Sequence, residues 1–185
     1  MPCLLCVTGL SGVGKSTAGK FLARKCNAKI VYLGEYVLQE LKTRGLSRSA
    51  ENERSVRADL REIHGPEVFA KLGAKTILDF LKEGSSVVID AIFHLTEYEH
   101  LKSVCSNFQI YLIGIEAGFK VRSDRLQIRM NRPFSEDELA MRDKFELDKL
   151  GIRNVLGQTH YTILNEGSVD SFHEQLEKIS TSFAG

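Results

Sequence analysis

The run Gly9-Leu10-Ser11-Gly12-Val13-Gly14-Lys15-Ser16 satisfies the pattern G-x-x-x-x-G-K-[ST] at every fixed position. Glycines at 9, 12 and 14 let the backbone curl until successive N–H groups face the oxygens of a phosphate chain. A helix starting at Lys15 adds its positive N-terminal end. The Lys15 ammonium is then placed for β- and γ-phosphates, and the Ser16 hydroxyl for Mg²⁺. The chemistry implied is nucleotide phosphate binding, with ATP and Mg²⁺ as cofactors. Gly9, Ser11, Gly12, Val13, Gly14, Lys15, Ser16 and Thr17 form the expected contact set.

Such a loop requires a carboxylate near its metal, at the end of a neighbouring apolar strand. Asp90 closes Val87-Val88-Ile89-Asp90 and stands alone in such a setting. It either holds a water of the Mg²⁺ shell or takes the acceptor's proton; the competing role is to cap the next helix. His94 is read as structural or acceptor-lining. Arg122, Arg125, Arg129 and Arg132 recur at intervals of three and four, one side of a helix. Stacked like charges suit a polyanion, so these residues and Arg142 form a candidate lid over residues 120–142, with Arg125, Arg129, Arg132 and Arg142 catalytic. The alternative is a solvated basic face balanced by Ser135-Glu136-Asp137-Glu138. Arg54, Arg57 and Arg61 repeat the spacing nearer the N-terminus, and their guanidinium forks fit a phosphate monoester acceptor. Interleaved Glu51, Glu53, Asp59 and Glu62 leave a solvated face open as the alternative.

These side chains need a scaffold. Residues 3–8 read as a buried strand, 15–26 as a helix and 29–33 as a second strand. Residues 34–82 read as helical, divided by Gly45 and Gly65-Pro66 into three helices. Strands follow at 86–90, 108–115 and 160–164, with helices at 118–130 and 136–150 and a last one capped by Ser168. Alternating strands and helices predict an α/β fold: a five-stranded parallel sheet covered on both faces, forming one P-loop kinase-type domain over residues 1–185. The acceptor-binding insertion is expected at about 34–83.

A net charge of +1 gives no reason to expect a nucleic-acid or membrane partner. No run approaches the roughly 18 apolar residues of a membrane span, and the first residues lack the basic start of a signal peptide. A cytoplasmic protein is expected, monomer or homodimer. Cys3 and Cys6 have C-x-x-C spacing, but three residues apart on a strand point to opposite faces. With Cys26 and Cys105 they are read as buried free thiols.

Taken together, these features resemble the nucleoside monophosphate kinase group of P-loop proteins. They are most similar to the archaeal adenylate-kinase-related, dephospho-coenzyme-A-kinase-like proteins. Besides residues 9–16, the likeness is carried by Gly34-Glu35, Leu60-Arg61-Glu62 with Gly65, and Asp90. It continues through Arg142-Asp143 with Gly151-Ile152 and Asn165-Glu166-Gly167-Ser168. The resemblance implies a five-stranded parallel sheet, a helical acceptor insertion and a short lid. It places Asn165 and Gly167 beside the adenine of ATP and Gly34, Glu35 and Arg61 around the acceptor, where the spacing already puts Arg57. Two positions depart from the pattern. Asp90-Ala91-Ile92-Phe93 stands where the related proteins have Asp-Gly-Ile-Arg, and Glu35 stands where Asp is usual. The activity implied is transfer of the ATP γ-phosphoryl to a small nucleotide. Dephospho-coenzyme A, a non-nucleotide metabolite, or a nucleotide-dependent switch without a small acceptor are the other readings.

Overall fold

Cys3–Thr8 (β1) is buried at all of its positions, which demands cover on both faces of the sheet it joins. A computed structural model describes residues 1–128 and 133–183, and supplies that cover. The elements run β1, α1 (Lys15–Lys25), β2 (Lys29–Tyr32), α2 (Glu35–Thr43), α3 (Ala50–His64), α4 (Val68–Lys82), β3 (Val87–Ile92) and α5 (Leu95–Val104). They continue through β4 (Gln109–Glu116), α6 (Phe119–Gln127), α7 (Glu136–Asp148), α8 (Ile152–Leu156), β5 (Tyr161–Leu164) and α9 (Val169–Ser180).

The strands form a five-stranded parallel sheet in the order β2-β3-β1-β4-β5. Alternation along β1 divides the core. Leu4 and Cys6 face a cluster with Leu41, Val56, Phe69, Ile77 and Leu101, supplied by α2 to α5. Cys3, Leu5 and Val7 face the other, with Ala18 and Leu22 of α1 and Phe172 and Leu176 of α9. The cysteines are free, and Cys3 and Cys6 lie on opposite sides of the sheet. Burial pushes the Cys6 thiol above its usual range, as for an inert core side chain. Cys26, expected buried, is half-buried at the end of α1.

Two features differ from the sequence reading. β3 continues to Ile92, because Ala91 and Ile92 are themselves buried and Ile92 pairs with Thr8, whose hydroxyl donates to the Ile92 carbonyl at 2.8 Å. Asp90 is therefore inside a strand and not its last residue. The sequence reading gave α5 and α8 no bounds, naming the first only as the helix that Asp90 would cap. In α5, Glu97 accepts from the backbone N–H groups of Phe93 and His94 at 2.9 and 3.1 Å, and His94 Nδ1 accepts from Thr96 N–H at 3.3 Å. His94 and Glu97 thus cap this helix, a role the sequence left open to Asp90. Helix α6 stops at Gln127, and Arg129 and Arg132 lie outside the described residues. Among the described residues no helix is long and apolar enough to cross a membrane.

Candidate active site

The loop between β1 and α1 is held from several sides. Gly14 opens α1 with φ of 102°, and a Cβ there would stand 2.7 Å from Asn165 Nδ2. Glycine is required on both counts. Asn165 is buried, and its Nδ2 donates to the Val13 carbonyl at 2.8 Å. Its side chain braces the loop, whereas the resemblance placed the residue only beside the base. At Gly9 a Cβ would collide with the Ile115 carbonyl oxygen of β4.

Lys15 Nζ donates to the carbonyls of Gly9 and Leu10 at 2.8 and 2.9 Å and lies 5.0 Å from the Phe93 ring centre. Burial pushes its ammonium down to about 8, opposed first by Glu146 and then by Asp90. Ser16 and Thr17 are exposed at the start of α1. Asp90 is half-buried, opposite Val7 of β1 and Tyr32 of β2. A Cβ built on Gly19 would sit 3.9 Å from Asp90 Cβ. Gly19 follows Ser16 by three residues on the same helix face, so Asp90 stands beneath the Ser16 side of α1. A hydroxyl and a carboxylate converging there fit Mg²⁺, which takes few protein ligands and completes its shell with phosphates and water. Among the described residues there is no cluster of three or more His, Cys, Asp or Glu side chains suited to a metal.

The arginines of α3 form a second group, linked to this region through Tyr32, the register partner of Asp90, which bears on the charge of Arg57. Arg57 Nη2 is 3.9 Å from Glu53 Oε2, and Arg61 Nη2 donates to Glu97 Oε1 at 3.3 Å. The Arg61 guanidinium lies 5.0 Å from the Phe69 ring centre, and its Nε is buried without a hydrogen-bond partner. Burial, then the like charges of Arg142 and Arg61, push Arg57 below the usual guanidinium range. Arg54 points to solvent, as does Glu35. Gly34 begins α2 beneath the ring of Tyr32, which a Cβ at 34 would strike.

The lid arginines do not stand free on one face. Arg122 is buried. It makes a bidentate pair with Asp143 at 2.8 and 2.6 Å and donates to the carbonyls of Ser11 and Ala117 at 3.0 and 3.1 Å. Arg125 donates to the carbonyl of Asn165 at 2.9 Å and to those of its side chain and of Gly167 at 3.3 and 3.4 Å. The expectation of an exposed cationic face is corrected for both residues: helix spacing put them on one side, and the loops at Ser11 and Asn165 receive that side. Arg142 Nε donates to Glu146 Oε1 at 2.6 Å, and its charge acts on both Lys15 and Arg57. Glu146, Glu97 and Tyr32 were missed, Glu53 was read only as an interleaved charge, and Asp143 only as part of the resemblance. The Arg142–Glu146 and Glu53–Arg57 spacings of four were the visible signals.

With this geometry, comparison with known proteins is informative. Residues 5–142 match the family model AAA_18, described as an AAA domain. A UPF0200 protein of Methanococcus maripaludis is 32% identical over 176 residues, 94% of this chain and 93% of its own length. The chain belongs to the AAA_18 family and to the UPF0200 proteins. A UPF0200/UPF0201 protein of Archaeoglobus fulgidus is 33% identical over 92% of this chain, which spans only 53% of that longer protein. Among solved structures, shikimate kinase from Bacteroides thetaiotaomicron superposes with a TM-score of 0.63 at 16% identity, covering 98% of both chains. A gluconokinase from Sinorhizobium meliloti gives 0.57 at 14% identity, over 98% of this chain and 95% of that one. The fold is that of the P-loop kinases.

Proposed function

We propose that this UPF0200 chain is an ATP-dependent phosphotransferase that moves the γ-phosphoryl of ATP to a small nucleotide, with a nucleoside monophosphate as the leading acceptor. One observation carries the reading: Arg142, tied to the phosphate loop through Glu146 and Ser11, acts on Lys15 of that loop and on Arg57 of α3 alike. A donor loop and a set of anion-binding arginines thus share one arginine, Arg142.

In this reading the loop amides and Lys15 hold the phosphate tail, and Arg142 offsets charge on the transferring group. Ser16 and Asp90 would hold Mg²⁺, which would supply charge neutralisation at the phosphates. Arg57 and Arg61 fix the acceptor anion so that its attacking oxygen meets the phosphorus in line. Asp90 orders the metal shell or receives the acceptor's proton. Arg125, through Asn165 and Gly167, shapes the loop assigned to the base. Arg129 and Arg132 keep their expected role in covering the phosphates.

A second reading has its own support. Glu53 and Glu97 already face the acceptor arginines, which lowers the positive charge available to a dianion. A hydroxyl-bearing metabolite with a single carboxylate fits that balance, and the shikimate kinase and gluconokinase neighbours act on acceptors of this kind by name. The deciding experiment is ADP release from ATP across ribo- and deoxynucleoside monophosphates, dephospho-coenzyme A, shikimate and gluconate. Strong stimulation by one nucleotide supports the leading reading, and stimulation by a carboxylate alone replaces it. Slow hydrolysis indifferent to every acceptor removes the kinase assignment.

A further inference from the structure

Glu146 is completely buried in α7, and in the sequence only its spacing of four from Arg142 marks it. A carboxylate removed from water is costly unless its oxygens are satisfied. Here Oε2 accepts the Ser11 backbone N–H at 3.1 Å, and Oε1 accepts the Ser11 hydroxyl at 2.9 Å and Arg142 Nε at 2.6 Å. One carboxylate therefore joins a residue of the phosphate-binding loop to an arginine of α7 through short, charge-assisted bonds. The Ser11 carbonyl is fixed separately by Arg122, itself paired to Asp143, the neighbour of Arg142. The position of α7 against the loop is thereby determined twice, once on each side of the Ser11 peptide.

Arg142 commits only Nε to this arrangement. Among the described residues its two Nη groups make no hydrogen bond, although the side chain is only 24% exposed. Its charge bears on Lys15, over the donor, and on Arg57, beside the acceptor. An arginine between these two groups, gripped at Nε with both Nη groups open, is arranged for an anion that arrives between them.

We propose that Glu146 is a positioning residue, anchored on Ser11, that sets the Nη groups of Arg142 on the γ-phosphoryl of the bound nucleotide. This rests on the kinase reading above, but its test needs no acceptor. The affinities of ADP and of the non-hydrolysable ATP analogue AMP-PNP, both with Mg²⁺, are measured by calorimetry for wild type, Glu146→Gln, Arg142→Ala and the double variant. Glu146→Gln should weaken AMP-PNP by about tenfold, the scale of one hydrogen bond to a charged group, while leaving ADP nearly unchanged. Arg142→Ala should do the same, and the double variant should lose no more than Arg142→Ala alone, because the two side chains act as one unit. Equal weakening of both nucleotides would reduce Glu146 to a brace for the loop and overturn the proposal. So would additive losses, or an unchanged preference for AMP-PNP over ADP. If Glu146→Gln does not fold, Glu146→Asp keeps the charge, withdraws it by one methylene and should show the same selective loss. A wild type that binds neither nucleotide would sink the kinase reading and this proposal together, whereas normal binding without a responsive acceptor leaves this proposal standing.

Discussion

The donor and acceptor sides of this site are built differently, although both are lined with cations. On the donor side the polar groups are matched to near neighbours at short range. Lys15 is held by two carbonyls at 2.8 and 2.9 Å, Val13 by Asn165 at 2.8 Å, and Ser11 by Glu146 and Arg122. On the acceptor side the matches are long or missing: Arg57 faces Glu53 at 3.9 Å, Arg61 reaches Glu97 at 3.3 Å, and Arg61 Nε has no partner. A loop braced in this way is formed before its ligand arrives, so binding there costs little reorganisation. Donors left open contribute only when something fills them. Under the proposed kinase reading, the contrast assigns nucleotide affinity to the first region and acceptor choice to the second.

The largest effect should come from Lys15→Ala. Loss of a preorganised cation on the transferring group lowers turnover by roughly 10²–10³-fold. Thermal stability should not fall, because burial already penalises that ammonium. Full activity in a folded Lys15→Ala protein would undo the donor assignment. Asp90→Asn comes next, with kcat reduced by about 10²-fold and MgATP binding largely retained. An unchanged kcat at saturating Mg²⁺ would leave Asp90 as sheet structure only.

A smaller effect concerns pH. Lys15 is depressed to about 8, and its charged form, which phosphate requires, predominates below that value. The kcat/KM for ATP should therefore be level below about 8 and fall about tenfold per unit above it, since this parameter reports the free enzyme. A profile flat to pH 10 would place Lys15 in a more polar setting than the one described. The mildest change, Arg61→Ala, sharpens the comparison most. It should raise the acceptor KM by about tenfold, near 1.4 kcal/mol, with ATP affinity unaltered. Equal losses for both substrates would merge the two regions into one.

Legibility followed the same division. The phosphate-binding loop could be read because its residues are contiguous and each has a local reason: glycine where the backbone turns, lysine and serine at a helix start. The sheet was readable because burial on both faces forces apolar runs such as Val87-Val88-Ile89. The bounds of α5 were missed because its cap uses His94 and Glu97, an uncommon pairing beside the usual Ser or Thr signal. The arginines of α6 misled for a physical reason. Periodicity fixes which side of a helix a residue occupies, but not what packs against that side. Arg122 meets Asp143 and Ser11, and Arg125 meets Asn165, across 21 to 111 residues of chain.

The sequence by itself determined the parallel α/β architecture, the loop at residues 9–16 and the presence of a carboxylate in the neighbouring strand, because each depends on short-range geometry and residue chemistry. Only the tertiary structure decided which charges are partnered. Glu146 and Asp143 became part of the phosphate site, Glu97 became the partner of Arg61, and Arg125 joined the Asn165 loop. A charged side chain has several possible partners of equal chemistry along the chain, and their relative energies depend on distance and burial. Those two quantities exist only after the chain has folded.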